Sequence, residues 1–159
     1  MRQSDYPITP AVRVLRQHKI PFEPLIYEYE AHGGTAQIAA LYGLPEHEVV
    51  KTIVLQNEKK QGLVVLMHGD KQVSTRNLAR QLGMKHIEPA DPQQAQKWTG
   101  YLVGGTSPFG MKTALPVYVE QTVWDLAEIY INGGKRGFVV KIATESMKIL
   151  NPNTVEAAV

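Results

Sequence analysis

Lys51 stands near the start of an apolar run, Val49-Val50-Lys51-Thr52-Ile53-Val54. Turned into a cleft, its ammonium can polarise an ester carbonyl or hold a phosphate. Turned outward, it is an edge gatekeeper or snorkels to water, and position alone leaves both readings open. A second feature, Gly100-Tyr101-Leu102-Val103-Gly104-Gly105-Thr106-Ser107, nearly imitates a phosphate-binding loop. Thr106 stands where that motif requires lysine, so no charge meets the outer phosphates of a nucleotide. What survives is backbone that can approach a ligand, with successive amides able to receive an oxyanion, or else a plain surface turn. Gly133-Gly134-Lys135-Arg136-Gly137 carries the same two readings with charge added: a phosphodiester grip through backbone and guanidinium, or a solvated hairpin turn. His18, His32, His47, His68 and His86 include no pair at helical ligand spacing, and only His68 has a carboxylate close by, at Asp70. Ligands for a metal would all have to come from distant segments, so none is expected. No serine lies in a nucleophile elbow, and the absence of cysteine removes a protein thiol, a disulfide framework and a zinc knuckle.

The elements that must position these residues follow from spacing. Thr9-Pro10 reads as a cap followed by proline at the first helical position, with Ile8, Val12 and Leu15 on one face, which predicts a helix to about His18. Phe22 to Tyr29 is extended in character. His32-Gly33-Gly34 is a loop, and Thr35 is expected to cap a short helix bearing Ile38, Ala39 and Leu41, closed by Gly43. Val49 to Leu55 and Leu63 to His68 form a hairpin signature. Ser74 or Thr75 caps a helix ending at Gly83, Lys85 to Glu88 is a short strand, and Asp91-Pro92 opens a helix over Gln93 to Lys97. Trp98 to Met111 breaks every period and is the main loop. Val117 to Glu120, Ile129 to Asn132 and Gly137 to Ile142 are strands, the last two joined by residues 133–136, and Thr144 caps a terminal helix reaching Leu150. Helices and strands intersperse without a βαβ rhythm, so the expectation is a mixed α/β fold with a largely antiparallel sheet and packed helices.

At 159 residues the chain suits one domain spanning 1–159. Apolar residues at 43% and charged residues at 20% are the usage of a folded soluble protein. The longest apolar stretches are far too short to span a bilayer and nothing suggests export, so no membrane partner and a cytoplasmic setting are expected. A net charge of +2 is too small to coat a duplex by charge alone, so any nucleic acid must be gripped locally.

Lys51-Thr52 opening a strand, residues Gly100 to Gly110, and Tyr130-Ile131-Asn132 running into Gly133 to Gly137 together resemble the YbaK/EbsC family of Cys-tRNA(Pro) deacylases. Thr9-Pro10-Ala11, Tyr27-Glu28 and Ala90-Asp91-Pro92 extend the resemblance over almost the whole chain. The resemblance implies the fold of the editing domain inserted in bacterial prolyl-tRNA synthetases and hydrolysis of the ester between an amino acid and tRNA. It implies Lys51, Tyr27 and Gly105 as catalytic residues, Lys51 touching the terminal adenosine or phosphate. Thr52, Tyr101, Gly104, Thr106, Ser107, Asn132, Gly133, Gly134, Lys135 and Arg136 are the implied binding residues. No cofactor is implied, and the partners are the tRNA acceptor end and a prolyl-tRNA synthetase. In cysteine-specific members the substrate thiol attacks its own carbonyl, whereas other members position a water. Asn132 stands where the family commonly has serine, and residues 29–34 replace its usual acidic turn. Two alternatives accompany the main reading: a deacylase for alanine or serine on tRNA, and a non-catalytic module of this fold that binds tRNA or a synthetase. A small-molecule esterase or nucleotide-binding enzyme lacks its motifs here.

Overall fold

The computed structural model describes residues 5–159. Helix α1, Pro10–Gln17, begins where Thr9 accepts a hydrogen bond from the Val12 amide, and it buries Ala11, Val12 and Leu15. Ile8 remains 45% exposed, outside the expected stripe, because it precedes the cap and lies off the helical period. Strand β1, Glu23–Ile26, is shorter than the aromatic and branched run around it. Helix α2, Gly34–Tyr42, starts one residue before Thr35 and is closed by Gly43 in the left-handed conformation. Thr35 is therefore not its cap; its hydroxyl donates instead to Glu46 (2.7 Å).

A 3₁₀ turn, Glu46–Glu48, leads into β2, Val49–Asn57, which pairs antiparallel with β3, Gly62–His68. The buried Asn57 side chain accepts from the Lys59 and Gln61 amides and fixes the hairpin loop. Helix α3, Thr75–Leu82, is capped by Ser74. Strand β4, Ile87–Pro89, helix α4, Pro92–Thr99, and β5, Val117–Glu120, follow, with the irregular loop between the last two. Strands β6, Glu128–Lys135, and β7, Phe138–Ala143, form a second antiparallel hairpin. Residues Gly133 and Gly134 are not its turn, as the sequence suggested. They make a bulge between the pairs Asn132↔Val139 and Lys135↔Phe138, and the turn itself is Arg136-Gly137.

Residues Thr144–Leu150 form a 3₁₀ helix rather than an α-helix, and Thr144 is its first residue rather than its cap. Strand β8, Asn153–Val155, follows it, an element the short polar segment did not announce. The sheet order is β1-β7-β6-β2-β3-β5-β8, with β4 added to β2. Pairings β1/β7, β6/β7, β2/β3 and β2/β4 are antiparallel, while β2/β6, β3/β5 and β5/β8 are parallel, so the sheet is mixed with its long ladders antiparallel. One core cluster joins α1 to Val50, Leu66, Ile131, Phe138 and Val140. Two smaller ones pack α3 against Leu55, Val65 and Met67, and α2 against Val49 and Val139. Strand alternation explains the division: Val49 and Val50, and likewise Val139 and Val140, fall in different clusters because successive side chains point to opposite faces.

Candidate active site

Strand β2 changes partner along one edge. Val49 and Val50 pair with β6, and Leu55 to Asn57 pair with β4. Between them, residues 51–53 have, among the described residues, a strand neighbour only on the β3 side. The Val54 carbonyl accepts from the Ala90 amide on the β4 side, and the two-residue period of a strand puts the Thr52 N–H and C=O on that same edge. The ladder therefore has a gap at Thr52, whose hydroxyl is also buried with no hydrogen-bond partner. A strand edge left unpaired at a recess is a ready docking line for a ligand's donors and acceptors.

The gap opens into a cavity of about 630 Å³, within the range of small-molecule sites. Among the residues that line it are Lys51, Thr52, Tyr27, Gly104, Thr106, Asn132 and Arg136. Segments far apart in sequence thus meet in one recess, with Ile38, Val49, Ile53 and Val139 supplying apolar wall. Burial lowers the Lys51 pKa from its ordinary value, while the charges of Glu46 and Asp70 act in the opposite direction. A half-buried ammonium beside apolar wall is less screened than one in water, so its field at a carbonyl is correspondingly stronger. Burial, followed by the neighbouring Tyr29, raises the Tyr27 pKa and keeps it a phenol, able to donate.

The glycine loop is held against the β6–β7 hairpin by two side chains. Asn132 Nδ2 donates to the Gly104 carbonyl (3.0 Å) while its Oδ1 accepts from the Gly134 amide (2.7 Å). Arg136 Nε donates to the Val103 carbonyl (2.9 Å), and its guanidinium lies over the Tyr29 ring at 5.2 Å. Gly105 is the point of closest approach: a Cβ there would stand 2.8 Å from the Arg136 amide nitrogen.

The remaining expected site residues do not line the cavity. Gly105 is buried, and its amide, expected to serve an oxyanion, donates to the Leu102 carbonyl (2.8 Å). The Gly134 amide is likewise engaged with Asn132, and a Cβ on Gly134, where φ is +99°, would meet the Tyr101 ring. Gly133 packs on the Phe138 ring, and its carbonyl accepts from Thr9. Tyr101 is only 4% exposed and its hydroxyl donates to the Phe109 carbonyl (2.6 Å); burial pushes its pKa up to about 12. Ser107 is fully buried and accepts from the Phe109 amide (3.1 Å). These residues brace the loop from beneath, and Lys135 is exposed in the hairpin, away from the cavity. Sequence reasoning missed Tyr29, His32, Thr35 and Ile38 as cavity lining. The signal for Tyr29 and His32 lay in the departures at residues 29–34, which flank the presumed pocket; Thr35 and Ile38 carried none.

His47, His68 and Asp70 gather outside the cavity lining, with ligand atoms within 4.8 Å of one another. Sequence spacing paired His68 with Asp70 and gave no sign of His47, which the 3₁₀ turn brings in. The two imidazoles stack face to face at 3.6 Å, so their in-plane lone pairs do not converge. His68 already meets the His47 carbonyl and the Thr122 hydroxyl, both at 2.7 Å, and His47 meets Asp70 at 2.9 Å. The cluster is arranged as a hydrogen-bonded brace rather than as metal ligands.

Residues 30–149 match the aminoacyl-tRNA editing domain model. The chain is 29% identical over 140 residues to an Enterococcus faecalis protein named "Putative Cys-tRNA(Pro)/Cys-tRNA(Cys) deacylase EbsC", covering 87% of this chain and 85% of that one. It is 30% identical over 100 residues to a proline–tRNA ligase of Trichlorobacter lovleyi, covering 63% of this chain but only 17% of the ligase. Among solved structures, a hypothetical protein superposes with a TM-score of 0.85 at 20% identity, covering 94% of this chain and 99% of its own. Another, titled "Crystal structure of a putative trans-editing enzyme for prolyl tRNA synthetase", superposes with a TM-score of 0.80 at 19% identity, covering 96% of this chain and 99% of its own. These two likenesses carry the fold, and the match of the family model over residues 30–149 carries the membership: this chain belongs to the aminoacyl-tRNA editing domain family.

Proposed function

We propose that the cavity hydrolyses the ester joining a misattached amino acid to the 3′ end of a tRNA, with Cys-tRNA(Pro) as its substrate. The observation that carries this reading is the convergence of the Lys51 ammonium, the ladder gap at Thr52 and the rim of the glycine loop on one recess. The likeness to a protein named as a Cys-tRNA(Pro)/Cys-tRNA(Cys) deacylase supports the choice of substrate. In this reading Lys51 holds the terminal nucleotide and polarises the ester carbonyl beside it, and Tyr27 lines the pocket as a hydrogen-bond donor. The Thr52 amide takes the oxyanion role expected of Gly105, since the Gly105 amide is engaged within its own loop. One such donor is worth roughly a hundredfold to a thousandfold in rate.

Tyr27, Tyr29, His32, Thr35, Lys51, Thr52, Thr106 and Arg136 line the cavity, and among the described residues no serine or cysteine does. The attacking group is therefore not a serine or cysteine of the cavity, and in this reading the substrate supplies it: its thiolate sulfur bonds to the carbonyl carbon, the ester C–O bond breaks, and the ribose oxygen leaves with the thiol proton. The protein orients the ester and meets the developing charge, which is where most of the acceleration in such sites arises. The partners in this reading are the acceptor end of tRNA and, as a docking platform, a prolyl-tRNA synthetase. The test is a panel of tRNA(Pro) carrying cysteine, alanine or serine. Release of cysteine alone is the expected result, and release from none of the three contradicts the reading.

A second reading, attack by water, is favoured by His32, whose ring lies at the cavity on a turn with φ +65°. An imidazole there can take a proton from water. Cleavage of the alanyl and seryl esters, with a rate lost in His32→Gln, would select it over the thiol route.

A further inference from the structure

On α3, Arg76 and Arg80 lie one turn apart and line a second, smaller recess of about 290 Å³ together with Thr75, Lys85 and His86. No carboxylate lines it. Both arginines are exposed, and among the described residues neither guanidinium makes an ion pair or a side-chain hydrogen bond. Like charges four apart on a helix weaken it, so this arrangement is a cost to the free protein that an anion would remove. Two acids beside Lys85 and His86 have other partners: Glu58 accepts from the Lys85 and His86 amides at 3.1 and 3.4 Å, and Glu88 meets Lys60 at 3.3 Å and His86 at 3.7 Å. Glu58 thereby pins the backbone from which Lys85 and His86 project into the recess.

The recess is tied to the catalytic cavity by β4. Ile87, at the start of that strand, lines the basic recess, and Ala90, just past its end, lines the cavity. Three residues of extended chain span roughly 10 Å, a length that the nucleotides adjoining the ester cover. The bond from the Ala90 amide to Val54 holds the two recesses in fixed relation (3.1 Å). With a net charge of only +2, the chain has no general basic surface, so a grip on polyanion must be local, and this is a place where cations gather without lining acids.

Resting on the deacylase reading, we infer that Arg76 and Arg80 bind backbone phosphates of the tRNA acceptor arm while its 3′ end enters the cavity. Guanidinium groups suit this task through paired donors to phosphate oxygens. The test uses two substrates and two double variants. Binding of an uncharged acceptor-stem RNA with a single-stranded 3′ end is measured across a salt series for the wild type, Arg76→Gln/Arg80→Gln and Arg76→Lys/Arg80→Lys. Hydrolysis of an aminoacyl-adenosine, which has no phosphodiester, is measured beside it. The glutamine pair should bind RNA about tenfold or more weakly at low salt, with the slope of log K against log salt reduced by about 0.7–0.9 per lost phosphate contact. The lysine pair should retain most of the slope, and all three proteins should cleave aminoacyl-adenosine alike. Unchanged RNA affinity and slope in the glutamine pair overturns the inference, as does an equal loss on aminoacyl-adenosine. Should the wild type bind RNA through these arginines yet cleave no ester, the phosphate site stands and the deacylase reading falls.

Discussion

Lys51 occupies a site that disfavours its own charge. Its pKa in the folded chain is lowered, mainly by burial, so the unfolded state binds the proton more tightly and stability rises as pH climbs through the lysine range. Lys51→Met should therefore be at least as stable as the wild type at pH 7 by thermal melting, and its advantage should shrink at alkaline pH, where the wild-type side chain is neutral in both states. A melting point clearly below wild type at pH 7 would show that the lysine is structural. At Gly105 the expectation is reversed: Ala should lose both stability and deacylation, because the Cβ presses on the Arg136 backbone and displaces the loop. A cost of about 1–3 kcal/mol is expected for overpacking of this kind, and unchanged kinetics in Gly105→Ala would detach the loop from the reaction. Residue types alone single out Lys51, because a cation at an apolar strand is conspicuous, while the family resemblance is what adds Tyr27 and Thr52. Neither separates Gly104, at the rim, from Tyr101 and Ser107, which face inward, because the direction of a side chain in an irregular loop is set by tertiary packing.

The glycine loop keeps its place through Asn132 and Arg136, which bond carbonyls of Gly104 and Val103. Asn132→Ala removes the first bond and frees the Gly134 amide. It should raise KM for aminoacyl-tRNA several-fold with a small change in melting temperature, measured by steady-state kinetics and calorimetry; an unaltered KM would remove the clasp from the account. At the opposite sheet edge, Glu120 is 3% exposed and accepts from the amides of Ala157, Ala158 and Thr122 and from the Thr122 hydroxyl. Burial acts to raise its pKa, but these hydrogen bonds outweigh it and the net shift is downward. Its stabilisation is thus present above the ordinary carboxylate value of 4.5 and is lost as pH falls through the lower folded value. Glu120→Gln should cost about 1–3 kcal/mol at pH 7, with the gap to wild type closing below about pH 4.5 in acid titration. Caps and hairpins were legible at this scale because Thr9, Ser74, Gly43 and Gly83 act locally. The bulge at Gly133-Gly134 and strand β8 were not, since each depends on a partner strand that no local pattern specifies.

Across the molecule, the site exists because one strand serves two neighbours in turn. The β2 edge meets β6, is left open at Thr52 and then meets β4, and the loop from α4 fills the space beside the opening. A mixed sheet was readable from the missing βαβ rhythm, but strand order was not, because parallel pairings such as β3/β5 join segments separated by other elements. No helix among the described residues is long and apolar enough to cross a membrane. The most direct measurement of the whole account is single-turnover release of cysteine from Cys-tRNA(Pro) by the wild type and by Lys51→Met at equal, saturating protein. The wild type should clear the ester, and the variant, still folded, should be slower by about a hundredfold or more. Equal rates in the two proteins would contradict the claim that this cavity is where the ester is broken.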